Sequence, residues 1–137
     1  MKLIIDANIL FAALIKTGLT ADLITSPKLE LFCPPFIFEE FEKYKSYLLD
    51  KTKREPEEFM RYMNILKRNI RSIPLSDFEG FLPRAKQISP DGKDGIYFAL
   101  ALYMNAPIWT NDKRLKTQNE VSILSTSDLI RIIPIEE

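Results

Sequence analysis

The chain has 137 residues, 46% hydrophobic and 28% charged, and its 19 basic and 19 acidic side chains give a formal net charge of zero. This composition suits one soluble domain over residues 1–137 with a substantial core. Any grip on nucleic acid must then come from a local basic patch, not from the overall field. There is no histidine and a single cysteine, which excludes Ser-His-Asp and Cys-His nucleophile systems and argues against a structural zinc site. No P-loop or G-x-G-x-x-G is present among the four glycines, so carboxylates are the main reactive groups on offer. Cys33 lies in an apolar stretch and reads as a buried, inert thiol in a reducing compartment. No signal-like segment and no run long enough to span a bilayer occurs, which predicts a cytoplasmic protein.

In chain order, Leu3-Ile4-Ile5 is a continuous apolar run, as expected for a strand buried on both faces of a parallel sheet. Ala7 to Lys16 and Thr20 to Ser26 read as helices, with Gly18 of Thr17-Gly18 as the stop between them. Glu30 to Cys33 is a second strand, ended by Pro34-Pro35. Phe36 to Asp50 reads as one helix, and another starts around Arg54-Glu55-Pro56 and runs to about Arg68. Ser72 to Leu75 is a short third strand. Asp77 to Ile88 forms a helix, irregular at Pro83. A turn at Ser89-Pro90-Asp91-Gly92 leads into Asp94 to Asn105, a helix apolar almost all round and hence buried. Pro107 to Thr110 is a fourth strand, Asp112 to Lys116 a short exposed helix, Val121 to Leu124 a fifth strand and Ser127 to Ile132 a last helix. Strands alternating with helices imply an α/β fold, a parallel sheet with helices on both faces. The order of the strands is left open by this pattern.

Four acids recur at related places. Asp6 ends the first strand where a helix begins, at the edge of an open α/β sheet where ligands bind; equally, it suits a simple N-cap. Glu40, in Phe36-Ile37-Phe38-Glu39-Glu40-Phe41, lies one turn from Ile37 and Tyr44, at the border of an apolar stripe of Ile37, Phe41, Tyr44 and Leu48. A charge so placed wants a partner or a metal, unless its head reaches solvent or a nearby lysine. Asp91 and Asp94 have capping-box spacing; Asp94 shares a helical face with Phe98 and Ala101 and so points to the interior edge of the sheet, with Gly95 beside it leaving space for an approach to the backbone. Asp112, in Pro107-Ile108-Trp109-Thr110-Asn111-Asp112, repeats the strand-end arrangement of Asp6, though it or Asn111 could also be a cap. If the first and fourth strands are neighbours, about 4.8 Å apart, the two carboxylates nearly touch. Like charges so close are costly unless one is protonated or a cation lies between them. An oxygen-only set selects Mg²⁺ or Mn²⁺.

The succession of Asp-x-Asn near the start, Glu on a mid-chain helix, Asp opening a buried Ala/Leu-rich helix and Thr-Asn-Asp after a strand resembles the PIN domain family over essentially the whole chain. The resemblance implies a three-layer fold with strand order 3-2-1-4-5, which makes Asp6 and Asp112 neighbours. It implies a ribonuclease that uses Mg²⁺ or Mn²⁺ to hydrolyse phosphodiester bonds of single-stranded RNA, leaving 5′-phosphate and 3′-hydroxyl ends. Asp6, Glu40, Asp94 and Asp112 match the family's acidic ligands, Asn8 a polar position beside the first acid, and Thr110 the hydroxyl before the last. Toxin-type members carry a further acid after the final Asp; here Lys113-Arg114 follows, a departure that bears on the number of metals. The resemblance also implies an antitoxin protein or a homodimer as partners, and the apolar tail Ile130 to Ile135 suits either the cover of a sheet edge within the subunit or contact with a second copy.

Lys113, Arg114 and Lys116 are candidate contacts for RNA phosphates, or equally the solvated face of an exposed helix. Two other classes compete with the enzyme: a PIN-like module that binds RNA or protein with little turnover, and a receiver-like phosphoacceptor using Asp6 or Asp112. The full set of acids argues against the first. The helical Glu40 and the lack of an obvious strand-end lysine after the fourth strand argue against the second.

Overall fold

In the structure, a computed structural model that describes residues 1–15 and 18–133, the apolar run at the start is strand β1, Lys2–Ile5, at the centre of the sheet. Four further strands, β2 (Glu30–Cys33), β3 (Ile70–Ser72), β4 (Ile108–Trp109) and β5 (Ile123–Leu124), join it in the order 3-2-1-4-5. All pairs are parallel, with Leu3 opposite Leu31 on one side of β1 and Ile5 opposite Trp109 on the other. Both faces are covered, which is what an unbroken Leu-Ile-Ile run requires. Leu3 and Ile5 pack among Ile9, Leu10, Ile37, Phe41, Phe59 and Leu129. Ile4, whose side chain alternates to the other face, packs among Phe32, Phe78, Phe98 and Leu100.

The first layer is made by α1 (Ala7–Ile15), α2 (Leu19–Ile24), α3 (Ile37–Lys43), α4 (Lys45–Thr52), α5 (Pro56–Asn69) and α9 (Thr126–Ile132). The second is made by α6 (Leu75–Phe78), α7 (Leu82–Ile88) and α8 (Gly95–Met104). Of α8, Phe98, Ala99 and Leu100 are wholly buried, as its nearly all-apolar sequence predicts, and Asn105 in the left-handed conformation at φ 51° ends it. Lys16 and Thr17, assigned above to the first helix and its stop, lie outside the described residues, as do Pro134 and Ile135 of the apolar tail. Among the described residues no helix is long and apolar enough to cross a membrane.

Several boundaries differ from the sequence reading. The third strand is Ile70–Ser72 and not Ser72–Leu75: Ile70 takes the core position opposite Leu31, and Pro74, lacking an N–H, closes the ladder and leads into α6. The expected helix over Phe36–Asp50 is two helices that meet at Tyr44, whose backbone at φ −99°, ψ 18° leaves the helical region. Phe41 and Leu48 stay buried while Tyr44 turns out of the apolar stripe to 48% exposure. Residues 77–88 likewise divide, at a 3₁₀ turn over Glu79–Phe81, so that Pro83 falls in the first turn of α7, where its missing N–H costs nothing. The segment after Asp112 is a 3₁₀ turn, Lys113–Thr117.

Trimming Phe98, fully buried at the centre of the second layer, to alanine is expected to cost about 3–5 kcal/mol. Urea denaturation should show a lower midpoint at an unchanged slope.

Candidate functional site

Asp6 follows β1 directly, and the backbone N–H of Asp6 still donates to the Trp109 carbonyl (3.4 Å), so the residue is held at the carboxyl end of the sheet between β1 and β4. That is the point where the strand order reverses, the usual place for a site in an open α/β sheet. Its carboxylate is only 6% exposed. The Ile9 N–H donates to Oδ1 (2.9 Å), so Asp6 caps α1 as the simpler reading held. The cap does not exhaust its surroundings. The Asn8 N–H and the Thr110 hydroxyl also bond to the carboxylate, and Asp112 lies near enough to repel it. Burial, ahead of these donors, pushes the Asp6 carboxyl above its ordinary range. No basic side chain pairs with it among the described residues.

Thr110, 1% exposed, is the joint between the two acidic strand ends: its Oγ1 bonds to Asp6 and accepts from the Asp112 N–H (3.1 Å). Asp112 itself caps the 3₁₀ turn. The Arg114 N–H donates to its Oδ1 (3.0 Å), and the guanidinium grips both oxygens, Nε to Oδ1 at 3.1 Å and Nη2 to Oδ2 at 2.8 Å. This fork holds the Asp112 carboxyl below the usual carboxylate range. Asn111 does a different job, its Oδ1 accepting the Thr126 N–H at the start of α9.

Asp94 precedes α8 at the end of a 3₁₀ turn over Gly92–Asp94 that is capped by Asp91. Asp91 accepts from the Lys93 N–H (3.0 Å), and no reciprocal box with Asp94 forms. The Asp94 side chain accepts no hydrogen bond among the described residues. Its carboxyl is raised, first by burial, then by the charges of Asp91, Asp6 and Asp112, and only Arg114 opposes this. Asp6, Asp94 and Asp112 therefore share one electrostatic neighbourhood, in which Arg114 is the opposing charge among the described residues.

Glu40 on α3 is exposed and makes no ion pair among the described residues; its link to the neighbourhood runs through Tyr97. The Tyr97 hydroxyl accepts the Ala7 N–H (3.3 Å), and the phenol is pushed up by burial first, then by the negative charge of Asp6, with Glu40 adding a smaller push. Sequence reasoning missed Tyr97. The signal was its i+3 spacing from Asp94, which puts both on one face of α8. Asn8 is exposed and contributes its backbone to Asp6. Lys116 pairs with Asp128 (3.0 Å) and Arg114 with Asp112, while Lys113 is exposed and makes no ion pair among the described residues. Cys33 is buried with its thiol held up at about 12, chiefly by burial. A cleft of about 510 Å³ at the other end of the sheet is lined by Lys2, Glu30, Lys67, Arg68 and Arg71 and contains none of these acids.

Whether the acids suit a divalent ion has a two-part answer. Among the described residues no three Asp, Glu or Cys side chains are gathered closely enough to hold a metal ion. The donor chemistry nevertheless fits: oxygen ligands only, two carboxyls raised first by burial and then by neighbouring acids, and one arginine as the compensating charge among the described residues.

The fold and this edge define an α/β domain with an acidic site at the switch point of a 3-2-1-4-5 sheet. A family model described as PIN domain matches residues 4–127, and the chain belongs to the PIN domain family. Among solved structures it is similar to a toxin-antitoxin complex from Klebsiella pneumoniae, at 13% identity and a TM-score of 0.66 over 90% of this chain and 97% of that one. It is also similar to VapBC2 from Rickettsia felis bound to a DNA fragment from their promoter, at 14% identity and a TM-score of 0.68 over 91% and 98% of the two chains. At these identities the likeness is one of fold. No curated protein matches the sequence.

The raised carboxyls make a signed prediction. Asp6 and Asp94 favour the folded state below the ordinary carboxyl value of 3.8, and that contribution is lost as pH rises through their higher folded values. Asp6→Asn, which keeps the capping oxygen, should therefore melt higher than the wild type at neutral pH in chelator, and the gap should close as pH falls through the carboxyl range. Arg114→Met should move the Asp112 carboxyl back up toward 3.8, read by carboxyl NMR titration.

Proposed function

We propose that the protein is a divalent-metal-dependent ribonuclease that hydrolyses phosphodiester bonds of single-stranded RNA. The observation that carries this reading is the buried carboxylate of Asp6, paired with no basic side chain among the described residues and within electrostatic reach of Asp94 and Asp112 at the switch point. Membership of the PIN domain family supports it. Asp6, Asp94 and Asp112 would hold Mg²⁺ or Mn²⁺, with Glu40 as a further ligand or as the group that orients the attacking water. Such an ion supplies Lewis acidity toward the scissile phosphate and neutralises charge that builds up there.

The chain's own residues prepare the site. Thr110 and the Ile9 and Asn8 amides fix the Asp6 carboxylate in one orientation. Thr110 couples that orientation to Asp112 through the Asp112 N–H. Tyr97, kept protonated by burial, offers a neutral hydroxyl beside the acids and adds no further negative charge. Arg114 neutralises Asp112 and limits repulsion while the acids stand alone. Lys113, Arg114 and Lys116 remain the candidates for RNA phosphates, with Lys113 alone of the three outside an ion pair among the described residues. The toxin-antitoxin complex among the similar structures supports an antitoxin protein as a partner, and a cytoplasmic homodimer remains part of the proposal.

Purified protein should cleave single-stranded RNA in Mn²⁺ and not in chelator. Asp6→Asn should lower the rate about 100-fold or more, since losing even an outer partner of a metal ligand costs about 10–100-fold. Cleavage that is indifferent to Asp6→Asn would contradict the assignment. Binding of RNA without cleavage by the wild type would favour the module reading.

A further inference from the structure

Two aromatic rings flank Glu40 and face solvent. Phe36 is 57% exposed and Tyr44 48%. The Glu40 N–H donates to the Phe36 carbonyl (2.9 Å), and the Tyr44 N–H to the Glu40 carbonyl (3.0 Å). The three residues therefore stand one turn apart, Phe36 and Tyr44 capping the two ends of α3 with Glu40 between them in the chain. The β1–β2 register, Ile4 opposite Phe32, carried two residues further brings Pro34 level with Asp6, so Phe36 emerges at the same sheet edge as the acids.

Phe36 also has an unusual backbone. At φ 76°, ψ −7° it is left-handed, a conformation costly for a bulky side chain. Pro34 and Pro35 before it restrict the chain, and the first turn of α3 follows at once. Strain of this kind persists where the surroundings over-determine it, and it concentrates at ligand-binding positions. The neighbouring rings behave differently: Phe41 packs on Phe11 with centroids 4.6 Å apart, and Phe38 on Phe41 at 6.2 Å. Phe36 has no ring partner among the described residues.

We propose that Phe36 and Tyr44 are a stacking platform for unpaired bases of the RNA strand whose backbone meets the acids, an inference that takes its substrate class from the nuclease reading. The electrostatics call for such a device. Asp6, Glu40, Asp94 and Asp112 disfavour phosphate, and among the described residues the Arg114 guanidinium close to them is already held by Asp112. Beside Lys113, affinity for a strand then draws on groups that acids do not repel. Base faces are such groups, and stacking on an aromatic ring tolerates any base. The Lys43 ammonium, 5.8 Å from the Tyr44 ring centroid, places one positive charge next to the platform for the phosphate that follows.

The test uses a single-stranded oligoribonucleotide carrying one 2-aminopurine, mixed with the full chain in chelator so that binding is read without cleavage. Wild type should bind and quench the fluorophore. Phe36→Ala should bind about 10-fold more weakly and lose most of the quenching, whereas Phe36→Tyr should retain both. Phe36→Gly should melt a few degrees higher, because glycine relieves the left-handed backbone, and yet bind as poorly as Phe36→Ala. Binding and quenching unchanged in Phe36→Ala, or fully restored in Phe36→Leu, would overturn the platform and assign this apolar face to a protein partner or a second copy. Cleavage in Mn²⁺, assayed alongside, separates the two readings: cleavage without Phe36-dependent quenching overturns the platform alone, and Phe36-dependent quenching without cleavage upholds it while removing the nuclease.

Discussion

The constraint on which the site depends is a carboxylate kept out of water with no basic side chain paired to it among the described residues. Asp6 is 6% exposed at the end of the central strand of the sheet. A helix cap does not require that burial, because a solvent-exposed Asp caps equally well. Burying the charge costs free energy that the Ile9, Asn8 and Thr110 donors recover only in part, as the raised carboxyl shows. The cap explains how Asp6 is oriented. It does not explain why Asp94 and Asp112 are brought within reach of it.

The topology produces this gathering from distant parts of the chain. β1 lies between β2 and β4, so the chain leaves the sheet in opposite directions on either side of Asp6. α8 is drawn against the sheet by Phe98, Ala99 and Leu100, which places its N-terminal end, with Asp94 and Tyr97, near the same switch point. The molecule limits the repulsion internally. Arg114 clamps Asp112 with both arms of its guanidinium, which leaves Asp6 and Asp94 as the uncompensated pair. Among the described residues the acids form no three-carboxylate cluster close enough to hold a metal.

Much of this was legible in the residues because the determinants are local. The unbroken Leu3-Ile4-Ile5 run, the apolar helix after Asp94 and the Pro56 start of α5 each announce themselves within a few positions. The strand order came from family resemblance, since alternation of strands and helices leaves it open. Where the reading slipped, non-local packing decided. Ile70 belongs to β3 because Leu31 needs a neighbour across the ladder, and Tyr44 breaks a helix that its own sequence would continue. Tyr97 and the Arg114 fork were out of view for a related reason. Tyr97 meets Ala7 across 90 positions of sequence, and an Arg two residues after an Asp reads as a free cation until a 3₁₀ turn folds it back.

The claim that these carboxylates form a divalent-cation site is tested most directly by titrating Mn²⁺ into the protein and following the free ion by electron paramagnetic resonance. Saturable binding that Mg²⁺ displaces and that Asp6→Asn abolishes is the result expected of the site described here. No saturable binding, or binding that Asp6→Asn leaves untouched, would contradict it.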